Sequence, residues 1–407
     1  MRRFVGPFLK AGLLLTGILI LGLLALEGAA RAFHWWPDPF LQPDERFGLA
    51  HIPNASGWWV NIEAPGEFQT PVRINSKGLR DREYPYEKPP GTFRILLLGD
   101  NFAEAFQVPL EDSFQEVVEV RLNGELPLPV EVINAGTWLY STDLELLFYR
   151  LEGRNYRPDL VLLAFHAGTD VLESHREMEI RYMGREYKPF FVLKDGELEL
   201  VNFPYPVPQE PPPQGIVGRV KGFLAAHSRL YPVAGRFIRR YLRRGGGSAA
   251  GGAAATSGAE AIPMDLYLYA VDPPPEWAEA WEVSKALIRQ LRREVEADGG
   301  RLAVVLIPDR RQVEAGYLDW AMRTYPAMAA YTWDMEHPNR VLRTFLEAEG
   351  IPYLDLLEVF RQRTQEQGAE LYYPRDGHWN VAGHRLAGEE IGAWLVTSGL
   401  VPTKEGR

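Results

Sequence analysis

Two short stretches, most of the chain apart, hold residue types that could do chemistry together. Gly99-Asp100-Asn101 follows the apolar run Arg94-Ile-Leu-Leu-Leu and precedes Phe102-Ala-Glu-Ala-Phe. That pattern predicts a buried strand, a tight turn and the start of a helix. Near the other end, Tyr373-Pro-Arg-Asp-Gly-His-Trp-Asn places Asp376 two residues before His378. A carboxylate orienting an imidazole, delivered to a strand-to-helix turn, suits nucleophilic acyl chemistry. A hydroxyl attacks an acyl carbon and the imidazole takes its proton. Position 101 would carry the hydroxyl, and it is Asn. A carboxamide nitrogen is conjugated with its carbonyl and is no nucleophile beside a neutral imidazole. The residues therefore define a site before they define an activity.

Elements that would position such a site can be read from the apolar pattern. Strands are expected at Arg94–Leu98, Val130–Asn134, Leu160–Phe165, Leu302–Ile307 and Tyr353–Leu356. Each is a short apolar run, as in a parallel sheet covered on both faces. Helical periodicity lies between them, most plainly over Glu276–Ala297, where Trp277, Trp281, Ile288, Leu291 and Val295 share a face. Alternation of this kind predicts a doubly wound α/β domain with its site at the carboxyl ends of the strands. Four places converge there: Gly99-Asp100-Asn101, Asn134-Ala-Gly136, Gly168-Thr169-Asp170 and Asp376-Gly-His378. Residues 37–92, rich in Pro, Trp and Gly, read as a β-rich lead-in packing on a main domain at 93–400. A helical insertion at about 175–270 interrupts the alternation. It carries a Pro-rich stretch from Pro204 to Pro213, an apolar face of Val220, Phe223, Leu224 and Leu230, and an Arg cluster of Arg236, Arg239, Arg240, Arg243 and Arg244. Its Gly/Ala/Ser tract, 245–258, reads as a disordered linker.

Composition narrows the classes. In 407 residues, 46% are hydrophobic and 24% charged, which is ordinary for a globular chain. A net charge of −10 argues against nucleic acid as a partner. With no cysteine, disulfides and thiolate chemistry are excluded. Residues 1–36 read as a membrane anchor. Arg2, Arg3 and Lys10 precede the apolar run Ala11 to Leu26, and Trp35 and Trp36 follow it. Phe4 to Leu9 lengthen the span if Lys10 snorkels. Positive charge on the N-terminal side puts the N-terminus in the cytoplasm and the body outside. The competing reading is a secreted chain, with a signal peptide cleaved at Ala30-Arg-Ala32.

With these residues in view, the chain resembles the SGNH/GDSL hydrolase superfamily, in particular its membrane-anchored bacterial envelope members. The resemblance runs from about Val72 to Trp394. It is carried by Ile74-Asn-Ser-Lys-Gly-Leu-Arg-Asp, Phe93-Arg-Ile-Leu-Leu-Leu-Gly-Asp, Val132-Ile-Asn-Ala-Gly, Pro158-Asp-Leu-Val-Leu-Leu and Asp376-Gly-His-Trp-Asn-Val-Ala-Gly-His. It implies a flavodoxin-like three-layer fold, with five parallel strands in the order 2-1-3-4-5. It also implies ester hydrolysis or acyl transfer, often on carbohydrate, with no cofactor. Carried over by position, the family's nucleophilic Ser falls on Asn101 and its oxyanion-hole Gly on Gly136. The oxyanion-hole Asn falls on Thr169, beside Asp170. The catalytic Asp and His fall on Asp376 and His378. The expected function is therefore a cell-envelope relative of carbohydrate esterases and O-acyltransferases, impaired or inactive, that keeps its cleft for a glycan or acylated sugar. The alternative is an active enzyme with a displaced nucleophile.

Each singled-out residue also has a plainer reading. Asn101 suits a tight turn and a helix start without any chemistry. If the site is rearranged instead, His378 activates water directly, or a hydroxyl from Thr169 or Ser141 substitutes. His384 reads as a helix-face residue rather than a second base. His166, Asp170 and His378 could be imagined around a metal, but their spacing does not demand one. The Arg cluster could meet anionic lipid or form a solvated face. Trp58, Trp59 and Trp138 could stack on sugars or serve as packing.

Overall fold

The computed structural model describes residues 5–208, 215–245 and 261–402. Arg2, Arg3, Phe4, the end of the Pro-rich stretch (209–214) and the linker residues 246–258 lie outside them, as do the side chains of Arg239, Arg240, Arg243 and Arg244.

The main sheet has five strands, numbered here in chain order: β1 Phe93–Gly99, β2 Val130–Asn134, β3 Leu160–Phe165, β4 Arg301–Leu306 and β5 Tyr353–Asp355. Their order across the sheet is 2-1-3-4-5, and the pairings of known register are parallel. The expected order is therefore the observed one. Strand β4 begins one residue early, because Arg301 pairs with Leu160 although its side chain is polar and exposed. Strand β5 stops before Leu356, which caps the helix Leu357–Gln365.

Period-two alternation along these strands feeds two cores. Leu96, Leu98, Ile133, Val161, Leu163, Val304 and Leu306 point to one side, where helices Thr142–Leu151, Glu276–Ala297 and His337–Glu349 cover them. Ile95, Leu97, Val132, Leu160, Leu162, Ala303 and Val305 point to the other, against helices Phe114–Glu125, Leu357–Gln365 and Val381–Thr397. Burial on both faces explains why the runs read as continuous apolar stretches. The result is the three-layer flavodoxin-like arrangement of SGNH hydrolases. Order 2-1-3-4-5 reverses direction between β1 and β3, so a crevice opens at their carboxyl ends. Asp100 and Asn101 leave β1 there, and His166 through Asp170 leave β3.

The insertion is not helical throughout. It contains an antiparallel hairpin, Phe190–Lys194 with Glu197–Val201. Asp195 and Gly196 both have positive φ, 53° and 84°. A two-residue Asp-Gly turn of that hand matches the twist of the strands it joins.

By internal contacts the chain forms two units. One contains the domain just described. The other draws on Met1–Asp38, Trp58–Gln69 and Pro208–Gly251. Within it, helix Val5–Ala32 includes Lys10–Ala32, long and apolar enough to cross a membrane, a property signal sequences share. Helices Gly215–His227 and Leu230–Gly245 follow the Pro-rich stretch. The apolar face expected from Val220 to Leu230 is split between them, and Val220 and Phe223 are exposed. The Glu27 carboxylate accepts from Ser228 Oγ at 2.8 Å and from the Arg229 and Leu230 amides at 2.9 and 3.0 Å. It thereby satisfies the start of the second of these helices. Arg236 is not simply solvated: it donates to the Ile62 carbonyl and pairs with Glu63 at 2.6 Å.

Candidate active site

The turn after β1 is held by its own acid. Asp100, buried, accepts from the Phe102 amide at 2.8 Å and caps the one-turn helix Asn101–Glu104. Ala105 ends that turn in the left-handed region, φ 58°. The far loop is fixed by aromatic packing. Trp379 is fully buried among Phe102, Phe114 and Phe360. Its neighbour His378 is thereby aimed at Asn101. His378 Nδ1 lies 2.6 Å from Asp376 Oδ1, and its Nε2 lies 2.5 Å from Asn101 Nδ2. The Asp/His pair is formed, and the Asn101 carboxamide donates to the nitrogen that would take a nucleophile's proton. Burial disfavours charge on His378, but the hydrogen bond and charge of Asp376, with Asp100 and Glu104 nearby, outweigh it. The imidazole is raised above its ordinary value of 6.5.

Gly136 sits against the same turn. A Cβ there would lie 2.4 Å from the Glu104 amide nitrogen and 2.5 Å from Ala103 Cβ, so no larger residue fits. Its N–H is already donated to Asn134 Oδ1 at 2.8 Å, while Asn134 Nδ2 donates to the Ala103 carbonyl at 2.7 Å. The expected oxyanion donor is thus spent on bracing the loop.

Thr169 is half-buried and its hydroxyl lies 2.9 Å from His166 Nδ1. Asp100 Oδ2 is 3.4 Å from that hydroxyl and 3.3 Å from the same ring nitrogen. On the ring's other side, Asp309 Oδ2 is 3.8 Å from Nε2. Gly168 permits this approach, since a Cβ there would come within 2.7 Å of Asp309 Oδ2 and 2.8 Å of His166 Nε2. Burial would push the Asp309 carboxyl up, but the Arg311 guanidinium, at 2.6 Å, holds it down to about 2. Asp170 lies deeper: its Oδ2 accepts from the His166 amide at 2.8 Å. Burial, then Glu145 and Asp100, push its carboxyl well above the usual range.

The cleft therefore has two imidazoles, both packed on the Phe102 ring, at centroid distances of 4.7 Å for His166 and 4.9 Å for His378. They serve different partners, so His166, Asp170 and His378 do not converge on one point. Among the described residues no cluster of His, Asp and Glu is placed to hold a metal ion. Ser141 is not a substitute nucleophile. It is buried and donates to Asp143 Oδ1 at 2.8 Å, with Lys188 at 3.3 Å. His384 lies on helix Val381–Thr397, on its inward face. It is buried against Phe114 and Trp379.

Residues of the lead-in brace the site in ways the sequence alone does not disclose. Arg80, fully buried, donates to the Glu104 carbonyl at 3.0 Å and to the Val108 carbonyl. Asp81 Oδ2 accepts from the Asn134 amide at 2.7 Å. His51 Nε2 meets Glu104 Oε1 at 2.7 Å, and the same oxygen accepts from the Trp138 amide at 2.9 Å. The Arg-Asp pair in Ile74–Asp81 is the visible sign of this bracing.

Residues 266–405 match the family described as ALGX, SGNH hydrolase-like domain, acetyltransferase AlgX. The match contains Asp309, Asp376 and His378 but neither Asn101 nor Thr169. Similar solved structures include the acetyl xylan esterase AlAXEase, at 11% identity over 76% of this chain and 100% of that one, TM-score 0.37. Another is Axe2, an acetylxylan esterase from Geobacillus stearothermophilus, at 13% over 77% and 97%, TM-score 0.37. A lipase/acylhydrolase from Enterococcus faecalis is 13% identical over 77% and 100%, TM-score 0.37. No curated protein matches the chain. The likeness to SGNH hydrolases lies in the sheet order, the two-sided core and the match over 266–405.

Proposed function

We propose that this is a membrane-anchored cell-envelope protein whose cleft takes up an acetylated carbohydrate, with the serine route through position 101 closed. One observation carries the reading: Asn101 Nδ2 lies 2.5 Å from His378 Nε2, so the Asp376/His378 pair is assembled around an amide that cannot attack. The acetyl group is suggested by the acetyltransferase description of the matching family. The sugar is suggested by Trp138, 39% exposed two residues beyond Gly136, whose backbone is fixed by Glu104. An exposed aromatic side chain on an anchored backbone suits the apolar face of a pyranose.

The full chain in detergent, titrated with an acetylated oligosaccharide, is expected to bind it more tightly than the saponified form. Trp138→Ala should weaken binding roughly 2- to 10-fold, the worth of one aromatic contact. Equal affinity for the two forms, or none for either, would remove the carbohydrate-ester reading. The anchor belongs to the same proposal: Lys10 opens the span, Arg2 and Arg3 precede it in the sequence, and Trp35 and Trp36 follow it, which orients the body outward. Protease added to intact spheroplasts should digest the body, and full protection would reverse the topology.

A second reading, ester cleavage through another hydroxyl, is favoured by the 2.9 Å contact of Thr169 with His166.

A further inference from the structure

We propose that hydroxyl and carboxamide have exchanged sides of the cleft: Thr169 is the nucleophile, His166 its base, and Asn101 the donor that receives the oxyanion. The proposal rests on the reading that the cleft takes up an ester, and adds the reaction.

The two substitutions are reciprocal. Where the family implies a hydroxyl there is an amide, and where it implies an amide there is a hydroxyl. Each replacement has acquired the partner its chemistry needs. Thr169 Oγ is 2.9 Å from His166 Nδ1, within proton-transfer reach. When Nδ1 takes that proton, the resulting imidazolium lies between two carboxylates, Asp100 at 3.3 Å and Asp309 at 3.8 Å. His166 Nε2 is buried and makes no hydrogen bond, so the ring's second nitrogen is held by position and charge alone. Thr169 is half-buried at the carboxyl end of β3, whereas Ser141 is fully buried. Asn101 Nδ2 carries two hydrogens. One is directed at His378 Nε2, and the second is the one the proposal assigns to the developing oxyanion. In this arrangement His378 and Asp376 act through Asn101 and are positioning residues.

The steps balance without any added reagent. Thr169 Oγ bonds to the acyl carbon, its proton passes to His166 Nδ1, and the carbonyl π pair moves onto oxygen beside Asn101. The ester C–O bond then breaks, and the sugar oxygen leaves with the proton from His166. The acyl group remains on Thr169. Water attacks that ester, giving its proton to His166. The bond to Thr169 Oγ breaks, the hydroxyl recovers the proton, and the carboxylic acid departs. A sugar hydroxyl in place of water would make the second half an acyl transfer.

The test uses the full chain in detergent with p-nitrophenyl acetate, followed by acid quench and peptide mass mapping. An acetyl adduct on Thr169 is expected. Thr169→Val, near in shape, should bring hydrolysis to background. His166→Ala should slow it by about 10²–10⁴-fold, the usual share of a general base. His378→Ala should cost less than His166→Ala. Thr169→Ser should keep an adduct at position 169, which secures the result should the Val variant misfold. An adduct elsewhere, full activity in Thr169→Val, or neither adduct nor hydrolysis in the parent chain overturns the proposal. Binding of acetylated oligosaccharide without any adduct removes Thr169 alone. An adduct without preference for acetylated sugar removes the carbohydrate reading alone.

Discussion

Asn101→Ser should turn on a reaction at position 101: labelling by a serine-directed fluorophosphonate, and hydrolysis of an activated ester. The parts around it are in place. The position leaves β1 on a turn held by Asp100, and the side chain already reaches His378 Nε2 at 2.5 Å. His378 is oriented by Asp376 at 2.6 Å. Oxyanion support is the weak point, because the Gly136 N–H is committed to Asn134 and position 169 lacks an amide. One missing donor costs roughly 10²–10³-fold in such sites. Asn101→Ser with Thr169→Asn should therefore be faster than Asn101→Ser alone by about that factor, and any acyl adduct should move from 169 to 101. The base must be neutral to accept a proton, and His378 is raised above 6.5. The rate of the double variant should therefore climb with pH through a midpoint above that value. A folded double variant that neither labels nor hydrolyses would mean the turn no longer supports serine chemistry.

How much of this site the sequence discloses depends on whether a residue's partner is near it in the chain or recognisable by position. Asp376 and His378 are two residues apart, and their pairing is legible. The strand ends are legible because buried parallel strands leave unbroken apolar runs. Thr169 and His166 are only three residues apart, yet their contact is hidden, because it straddles the junction of β3 and a helix. Asp309 is within reach of the same rule that locates the other places. It lies just past the carboxyl end of β4, a strand end that the four converging places leave out. The bracing by His51, Arg80 and Asp81 is illegible for a different reason: each partner is a backbone group or a carboxylate tens of residues away. The hairpin in the insertion is legible, although a helical reading of that segment passes over it. Asp195-Gly196 stands between Phe191-Val-Leu and Leu198-Glu-Leu, a two-residue turn signal inside alternation.

Mild acidification should work against the fold through His384. Its ring is buried between Phe114, stacked at 5.9 Å, and Trp379, edge-on at 5.6 Å. Its Nδ1 makes no hydrogen bond. Burial, together with the positive charges of Arg80 and His378, lowers it from 6.5 to about 3. The unfolded chain therefore takes up a proton near pH 6.5 that the folded chain refuses until about pH 3. Stability linked to this ring is full above 6.5 and falls as pH drops toward 3, at up to about 1.4 kcal/mol per pH unit. Between about pH 7 and pH 4.5 the loss is on the order of 2–3 kcal/mol. Buried carboxyls act in the opposite sense. Asp81, Glu145 and Asp170, raised by burial, favour the folded state more as pH falls. The total slope is thus a balance, and the informative quantity is a difference between two chains. Urea midpoints of the full chain and of His384→Phe, followed by tryptophan fluorescence at about pH 7 and pH 4.5, isolate it. The Phe variant should lose less stability over that interval by the amount given. Parallel losses in the two chains would mean that His384 is protonated in the folded state and that its apolar surroundings admit water.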